Sequence, residues 1–344
     1  MTDTSLDHRT VTLPWPAMVL TAGLGTRLGL LSEVRAKPAL PVAGVPVAGR
    51  ILRWLAAGGV RSAVLNLHHR PETITAAIGD GGAFGVQVRY SWEHTILGSA
   101  GGPARALPLL DADRFFLVNG DTLTNLDLAA LAARHLATGA EVTMALIANP
   151  DPLRYGGVLV DGDGRVTGFT PPGPANRGWH FIGVQTVDSK VFAPLNPDEP
   201  SDTVNREYRD AIARSPGAVR ALITDASFSD IGTAADYLET CLALAGDEGL
   251  GDTLLGARSV IGTGARVSRS VLWDDVTVGD DAVLDECVVA DGVAVPGRTR
   301  LSRRVLIPRT RHAQGPDEWI IEDVLVSSLD ARRRRPAHGK DRST

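Results

Sequence analysis

AMVLTAGLGTRLGLLSEVRAKPALP, running from Ala17 to Pro41, is the stretch from which the rest of the chain can be read. Ala17-Met18-Val19-Leu20 is a short apolar run of the length and composition of a buried strand. It breaks at Ala22-Gly23-Leu24-Gly25-Thr26, too rich in glycine to stay in a sheet and able to fold tightly around a ligand. Bare glycines let backbone N–H groups approach phosphate oxygens, and a helix starting just behind them would add partial positive charge. Arg27 supplies a forked cation for phosphate, and Lys37, ten residues on, a point charge. Ala22 to Thr26 are therefore the candidate cradle for a nucleoside triphosphate, with Arg27 and Lys37 as the candidate catalytic cations.

Two commoner phosphate motifs do not fit. A dinucleotide fingerprint needs a third glycine where Leu28 stands, and a P-loop needs Gly-Lys-Ser/Thr where Thr26-Arg27 stands. The totals narrow the field further. At 344 residues the chain exceeds the usual single-domain size, and 44% apolar with 22% charged residues describes a globular protein with a substantial core. A formal net charge of -5 argues against nucleic acid as the main partner. Cys241 and Cys287 lie far apart without metal-ligand spacing, as expected of small buried hydrophobes. Neither a basic-then-apolar leader nor an 18-residue apolar span occurs, so a soluble, cytoplasmic protein without membrane contact is expected.

Residues 1–14 read as a polar arm. Beyond the glycine loop, helical spacing over VAGRILRWLAA (47–57) is followed by a strand SAVLNL (62–67), a helix opening at Pro71, and strands at 86–91 and 114–118. A helix over 126–138 closing at Gly139, then a strand at 142–147, continue the alternation. This order indicates an α/β domain over 15–248 with a Rossmann-like, mostly parallel sheet covered by helices on both faces. Ligands of such sheets sit beyond the carboxyl ends of the strands, where both the glycine loop and Asn119-Gly120-Asp121 fall. Short strands follow between 155 and 187, the first two joined by a turn at Asp161-Gly162-Asp163-Gly164. A helix over 202–214 and a turn-plus-helix over 227–238 complete this part.

From Gly251 the composition changes. IGTGARVSRSVLWDDVT, VGDDAVLDECVVADGVA and VPGRTRLSRRVLIPRTR align at a period of 17, with apolar columns Ile261/Val278/Val295, Val267/Leu284/Leu301 and Leu272/Val289/Leu306. Spacing near six within each copy predicts a short parallel β-helix of hexapeptides over 249–325, whose coils must stack to bury their apolar faces. The remainder, 326–344, holds Arg332 to Arg335 and reads as a solvated basic tail.

A carboxylate beside phosphates is most useful as a Mg²⁺ ligand; Asp121 follows a strand-like run, and Asp230, just before Gly232-Thr233 and a helical run, is the second candidate. Gly-x-Gly-Thr-Arg, Lys37-Pro38, Asn119-Gly120-Asp121, and Phe228-Ser229-Asp230-Ile231-Gly232-Thr233 with Phe in the place of a Trp together resemble the sugar-1-phosphate nucleotidylyltransferases. The resemblance spans about 17–245 and extends to a left-handed β-helical tail found in several members. It implies transfer of a nucleotidyl group to a sugar 1-phosphate with pyrophosphate released. It also implies Mg²⁺ on Asp121 and Asp230, and base recognition by EHTILGSAGG, where Glu93, Gly98 and Ser99 are the candidates. The sugar phosphate is expected near Gly157, His180 and Gly183. The tail and the Leu-Gly-Ser-Ala-Gly loop look most like mannose-1-phosphate guanylyltransferases. Uridylyltransferases acting on N-acetylmuramate or glucose phosphate are the alternative.

The chain departs from the family at Leu30 and Ala36, where Pro is common, and lacks the Glu-Lys pair before Phe181-Ile182-Gly183. Arg177 or His180 is the candidate substitute for that lysine. A non-catalytic nucleotide-sugar sensor is the competing reading, opposed by the retained Arg27, Lys37, Asp121 and Asp230. An acyltransferase in the repeat region is disfavoured because no histidine occurs between Ile261 and Ile307. The β-helix is instead expected to serve packing or homo-oligomer contact.

Overall fold

The computed structural model describes residues 13, 15–309, 315 and 317–330; most of the expected N-terminal arm and residues 331–344 of the basic tail lie outside them. Contacts divide the chain into two compact units. The first joins the described residues up to Gly23 with Ala48–Ser229, and the second joins Leu24–Val47 with the described residues from Asp230 onward.

In the first unit the strands are β1 (Ala17–Leu20), β2 (Ser62–Leu67), β3 (Gln87–Trp92), β4 (Arg114–Asn119) and β5 (Val142–Ile147). They are followed by β6 (Gly157–Val160), β7 (Val166–Thr170), β8 (His180–Asp188) and β9 (Val219–Ile223). Seven of them form one sheet in the order β9-β5-β8-β4-β1-β2-β3, while β6 and β7 pair as a separate hairpin. β1 lies inside the sheet and is parallel to both neighbours, with Val19 opposite Leu65 and Val118. Burial on both faces is why β1, β4 and β5 are near-continuous apolar runs: Met18, Phe115, Leu117, Met144 and Leu146 share one core. The expected α/β sheet is present, with one exception to its parallel sense. β8 runs antiparallel to both β4 and β5, and its register on β5 shifts between Phe181 and Gln185.

Helices α1 (Val47–Ala57), α2 (Pro71–Ile78), α3 (Gly98–Leu110) and α4 (Leu128–Thr138) connect these strands. Asp127 caps α4 by accepting from the amides of Ala129 and Ala130, and Gly139 closes it at φ 60°. The hairpin turn forms as expected, with the Asp161 carboxylate accepting from the amides of Asp163 and Arg165. The helix expected over 202–214 is only partly α. Asp202 accepts from the Asn205 amide at 2.7 Å, Thr203–Glu207 is a π-turn, and α5 (Tyr208–Arg214) follows.

In the second unit the segment after the glycine loop is not the expected α-helix start. Thr26–Glu33 is a 3-10 stretch kinked at Gly29, whose φ of 59° and ψ of -130° interrupt it. The turn-plus-helix expected over 227–238 is present: α6 (Ala234–Asp247) follows the turn, opened by a capping box of Thr233 and Asp236, and runs on past 238. Beyond it the chain coils as a parallel β-helix. Ile261 pairs with Val278 and Val278 with Val295; Val267, Leu284 and Leu301 line up likewise, as do Leu272, Val289 and Leu306. These are the three columns of the sequence period, and they supply much of the unit's core. The strand Val324–Ser328 pairs antiparallel with Arg304–Pro308, so the sheet runs across the 325/326 boundary expected for the tail. Among the described residues no helix is long and apolar enough to cross a membrane.

Candidate active site

The carboxyl ends of the central strands are held together by buried polar groups. The Thr21 amide donates to Asn66 Oδ1 at 2.6 Å, and the Thr21 hydroxyl donates to the Asn66 carbonyl. Asn66 Nδ2 in turn donates to Glu93 Oε1 at 2.7 Å, while Glu93 Oε2 accepts from the Leu97 amide at 2.9 Å. Sequence reasoning expected Glu93 either to face a base or to lie at the surface. It is 6% exposed, and each of its oxygens already accepts a hydrogen bond. Its chemistry is therefore to set the path of the loop from 93 to 98. Asn66, at the end of a buried apolar strand, was not anticipated; one amide side chain inside SAVLNL is the signal that could have found it.

The same loop is clamped on its other side. Gly98 has φ +76°, and an added Cβ would lie 2.5 Å from the Ser201 carbonyl oxygen, so no other residue fits without a shift. Ser99 Oγ accepts from the Thr203 amide at 2.9 Å and lies 3.0 Å from the Thr203 hydroxyl. Backbone groups at Leu97 and Gly98 are thus fixed in place, while the Ser99 hydroxyl serves the turn at 203.

Asp121 is partly exposed just beyond β4. Its neighbour Gly120 donates to the Leu20 carbonyl at 3.0 Å, and a Cβ there would collide with that carbonyl. This closeness fixes the turn carrying Asp121 against the end of β1. Gly183, at the irregular part of β8, has φ +78°, and an added Cβ would come 2.6 Å from Asn119 Nδ2. Gly157 is packed against Asn176 and Thr170. Its lack of a side chain is thus explained by protein contacts.

His180 is 7% exposed and its Nε2 is buried without a hydrogen-bond partner. Its ring centroid lies 4.5 Å from those of both Tyr155 and Phe228. It also borders a cavity of about 190 Å³ with Gly156, Gly157, Thr170 and Phe181. Burial pushes the imidazole down to about 4, so the ring is neutral at pH 7. His180 therefore does not replace the missing lysine as a countercharge. Arg177 is exposed, and its guanidinium donates to the carbonyls of Pro174 and Asn176.

In the second unit the loop continues exposed through Leu24, Thr26 and Arg27. Gly25 sits at φ +62° and its carbonyl accepts from the Leu28 amide at 2.9 Å. An added Cβ on Gly23 would meet nothing within 4 Å, so the main chain of the bend is open to a ligand. With no α-helix behind it, the cradle offers amides and the Arg27 cation but little macrodipole. Lys37, 8% exposed, opens the 3-10 turn Lys37–Ala39, and its ammonium lies 3.9 Å from Asp230. The pairing of a lysine expected to be catalytic with an aspartate expected to bind metal was not foreseen. Among the described residues, no cluster of three or more His, Cys, Asp or Glu suits a protein-only metal cage.

Residues 16–246 match the nucleotidyl transferase family, and residues 244–310 match the GlmU-like C-terminal hexapeptide family. A mannose-1-phosphate guanylyltransferase of Mycobacterium tuberculosis is 30% identical over 301 residues, which cover 78% of this chain and 82% of the relative. A UTP–glucose-1-phosphate uridylyltransferase of Synechocystis is 26% identical over 309 residues, covering 85% and 79% of the two chains. Among solved structures, HddC from Yersinia pseudotuberculosis complexed with GMP-PN superposes with a TM-score of 0.58 at 25% identity, covering 67% of this chain and 99% of that one. With the strand-end turns, the glycine bend and the stacked repeats all in place, the chain belongs to the nucleotidyl transferase family.

Proposed function

We propose that the protein joins a nucleoside triphosphate to a sugar 1-phosphate, giving a nucleoside diphosphate sugar and pyrophosphate. A sugar-phosphate oxygen attacks the α-phosphorus, a new P–O bond forms, and the bond to the β-phosphate oxygen breaks. The attacking phosphate is already anionic at neutral pH, so positioning and charge neutralisation carry the rate. The observation that carries this reading is Lys37, a nearly buried cation kept beside Asp230. Lys37 stabilises the transferring phosphoryl oxygens. Arg27 and the amides of Ala22 to Thr26 receive the pyrophosphate leaving group.

Asp121 and Asp230 offer hard carboxylate oxygens, a set that suits Mg²⁺ because that ion completes its shell with water and substrate phosphates. They are the residues that would hold it, and its contribution is charge neutralisation on the phosphates. The base is read by the backbone from Gly98 onward, whose path Glu93 sets. The sugar lies toward Gly157, His180 and Gly183, where a neutral imidazole offers a hydrogen bond to a hydroxyl and no charge for phosphate.

Guanine with mannose 1-phosphate, or a related hexose or heptose phosphate, is the pair favoured by the mycobacterial relative and the GMP-PN complex. The Synechocystis relative favours uridine with glucose 1-phosphate instead. Pyrophosphate release measured over a matrix of GTP, UTP, dTTP and ATP against several sugar 1-phosphates, with Mg²⁺ present, decides between them. Turnover highest with GTP and mannose 1-phosphate is expected. Nucleotide binding without turnover for any pair would make the chain a sensor and overturn the reading.

A further inference from the structure

We infer that Arg35 is a positioning residue for the reaction: it ties the turn carrying Lys37 to two successive coils of the β-helix. The inference rests on the catalytic role proposed for Lys37. Its geometry lies wholly within the second unit.

Asp274 and Asp291 are seventeen residues apart, so they occupy equivalent corners of adjacent coils. Stacking fixes both carboxylates: the Ala257 amide donates to Asp274 Oδ1 at 2.8 Å, and the Asp274 amide donates to Asp291 Oδ1 at 3.1 Å. Into this pair reaches one guanidinium. Arg35 Nε and Nη2 donate to the two oxygens of Asp291 at 2.6 and 2.7 Å, and Nη2 also donates to Asp274 Oδ2 at 2.8 Å. The guanidinium carbon lies 5.4 Å from the centroid of the Trp273 ring, and Trp273 is 1% exposed. A planar fork on two carboxylates and an aromatic face fixes direction as well as distance, which a lysine ammonium does not.

Lys37 is two residues from this clamp, across the buried Ala36. The far side of its turn is anchored too. The Tyr237 hydroxyl donates to the Pro41 carbonyl and accepts from Trp273 Nε1 at 2.9 Å. The turn from Arg35 to Pro41 is thus held at both ends, and both holds lead to Trp273. The β-helix thereby sets where the Lys37 ammonium stands relative to Asp230. A displacement of this turn by a fraction of an ångström is expected to reach turnover before it reaches substrate binding, because the Lys37 contact grows in the transition state.

The test is a kinetic cycle on the full chain, using the nucleotide and sugar-phosphate pair of highest turnover. Arg35→Ala is expected to lower kcat by about ten- to a hundredfold with KM for the triphosphate nearly unchanged. Arg35→Lys is expected to restore only part of the loss. In a Lys37→Ala background, Arg35→Ala is expected to cost little more, since the group it positions is gone. Asp291→Asn repeats the cycle from the other side of the clamp if Arg35→Ala is recovered unfolded. Equal fold-losses from Arg35→Ala with and without Lys37 would overturn the inference and leave the clamp a stabilising contact only. Unaltered kcat in Lys37→Ala alone would instead overturn the role given to Lys37, and with it the inference.

Discussion

The Lys37 ammonium lies 3.9 Å from the Asp230 carboxylate, and the two side chains are only 10% and 12% exposed. The lysine thus has an acidic partner beside it before any phosphate arrives. Asp230→Asn removes that anion and one proposed metal oxygen at once. Turnover is expected to fall by about a hundredfold or more, on the scale of losing a preorganised electrostatic group. Asp121→Asn should show a comparable loss while leaving Lys37 paired. Steady-state kinetics over a Mg²⁺ titration check this. Both variants are expected to need more Mg²⁺ for half-maximal rate, and unchanged turnover in the pair would remove their metal role.

Glu93→Gln tests whether the base loop depends on a buried carboxylate. Glu93 accepts from both the Asn66 amide group and the Leu97 N–H, and a glutamine would turn an N–H donor toward one of those donors. Leaving one buried donor unpaired costs about 1–3 kcal/mol, so a lower urea midpoint is expected. Because the same bonds shape the backbone at Leu97, KM for the triphosphate should rise more than KM for the sugar phosphate. Gly102→Ala should act in the same direction, since its Cβ would come 2.9 Å from both Asn66 Nδ2 and Glu93 Oε1.

Gly183→Ala probes the irregular part of β8. The alanine would have to hold φ near +78° and would press on Asn119 from Nδ2 to Cβ, at 2.6 to 2.9 Å. The left-handed conformation alone costs about 1–2 kcal/mol. Asn119 stands two residues before Asp121, so kcat is expected to fall further than the loss of stability accounts for. Circular dichroism melts beside kinetics well below the melting range separate the two effects.

Much of this molecule is legible in the chain because its periods are physical. The 17-residue spacing returns as strand pairs in all three columns, since each coil buries its apolar face only against an equivalent residue of the next. Val47–Ala57 and Ser62–Leu67 fall where apolar spacing put them. The 3-10 stretch behind the glycine loop was missed because Gly29 at φ 59° breaks a run that otherwise reads as helix. The antiparallel sense of β8 leaves no local trace, since direction depends on how the chain returns to the sheet. Glu93 read as either a base contact or a surface carboxylate, because its burial follows from Asn66, which is 27 positions away in sequence. The clamp on Arg35 was equally hidden, because Asp274 and Asp291 lie 239 and 256 positions away in sequence.

His180 makes a prediction about acid. Its folded value of about 4 lies below the ordinary 6.5, because burial among Tyr155 and Phe228 disfavours the charged ring. Once unfolded, the ring takes a proton as pH falls through about 6.5, while the folded ring stays neutral. The unfolded state then binds more protons, and stability drops as pH is lowered. This contribution is complete above the unfolded value and is lost between it and the folded one, by at most about 1.4 kcal/mol per pH unit. His180→Phe removes the titration and keeps an aromatic ring between Tyr155 and Phe228. Urea midpoints at pH 7, 6 and 5 should therefore decline less steeply in His180→Phe than in the parent. The slope should not vanish, because His135, also lowered mainly by burial, still titrates in the same direction. If the imidazole meets a sugar hydroxyl, the same variant should raise KM for the sugar phosphate and leave KM for the triphosphate alone. Parallel acid slopes in the two proteins would show that His180 is charged or solvated in the folded chain, and the neutral contact to the sugar would fall with it.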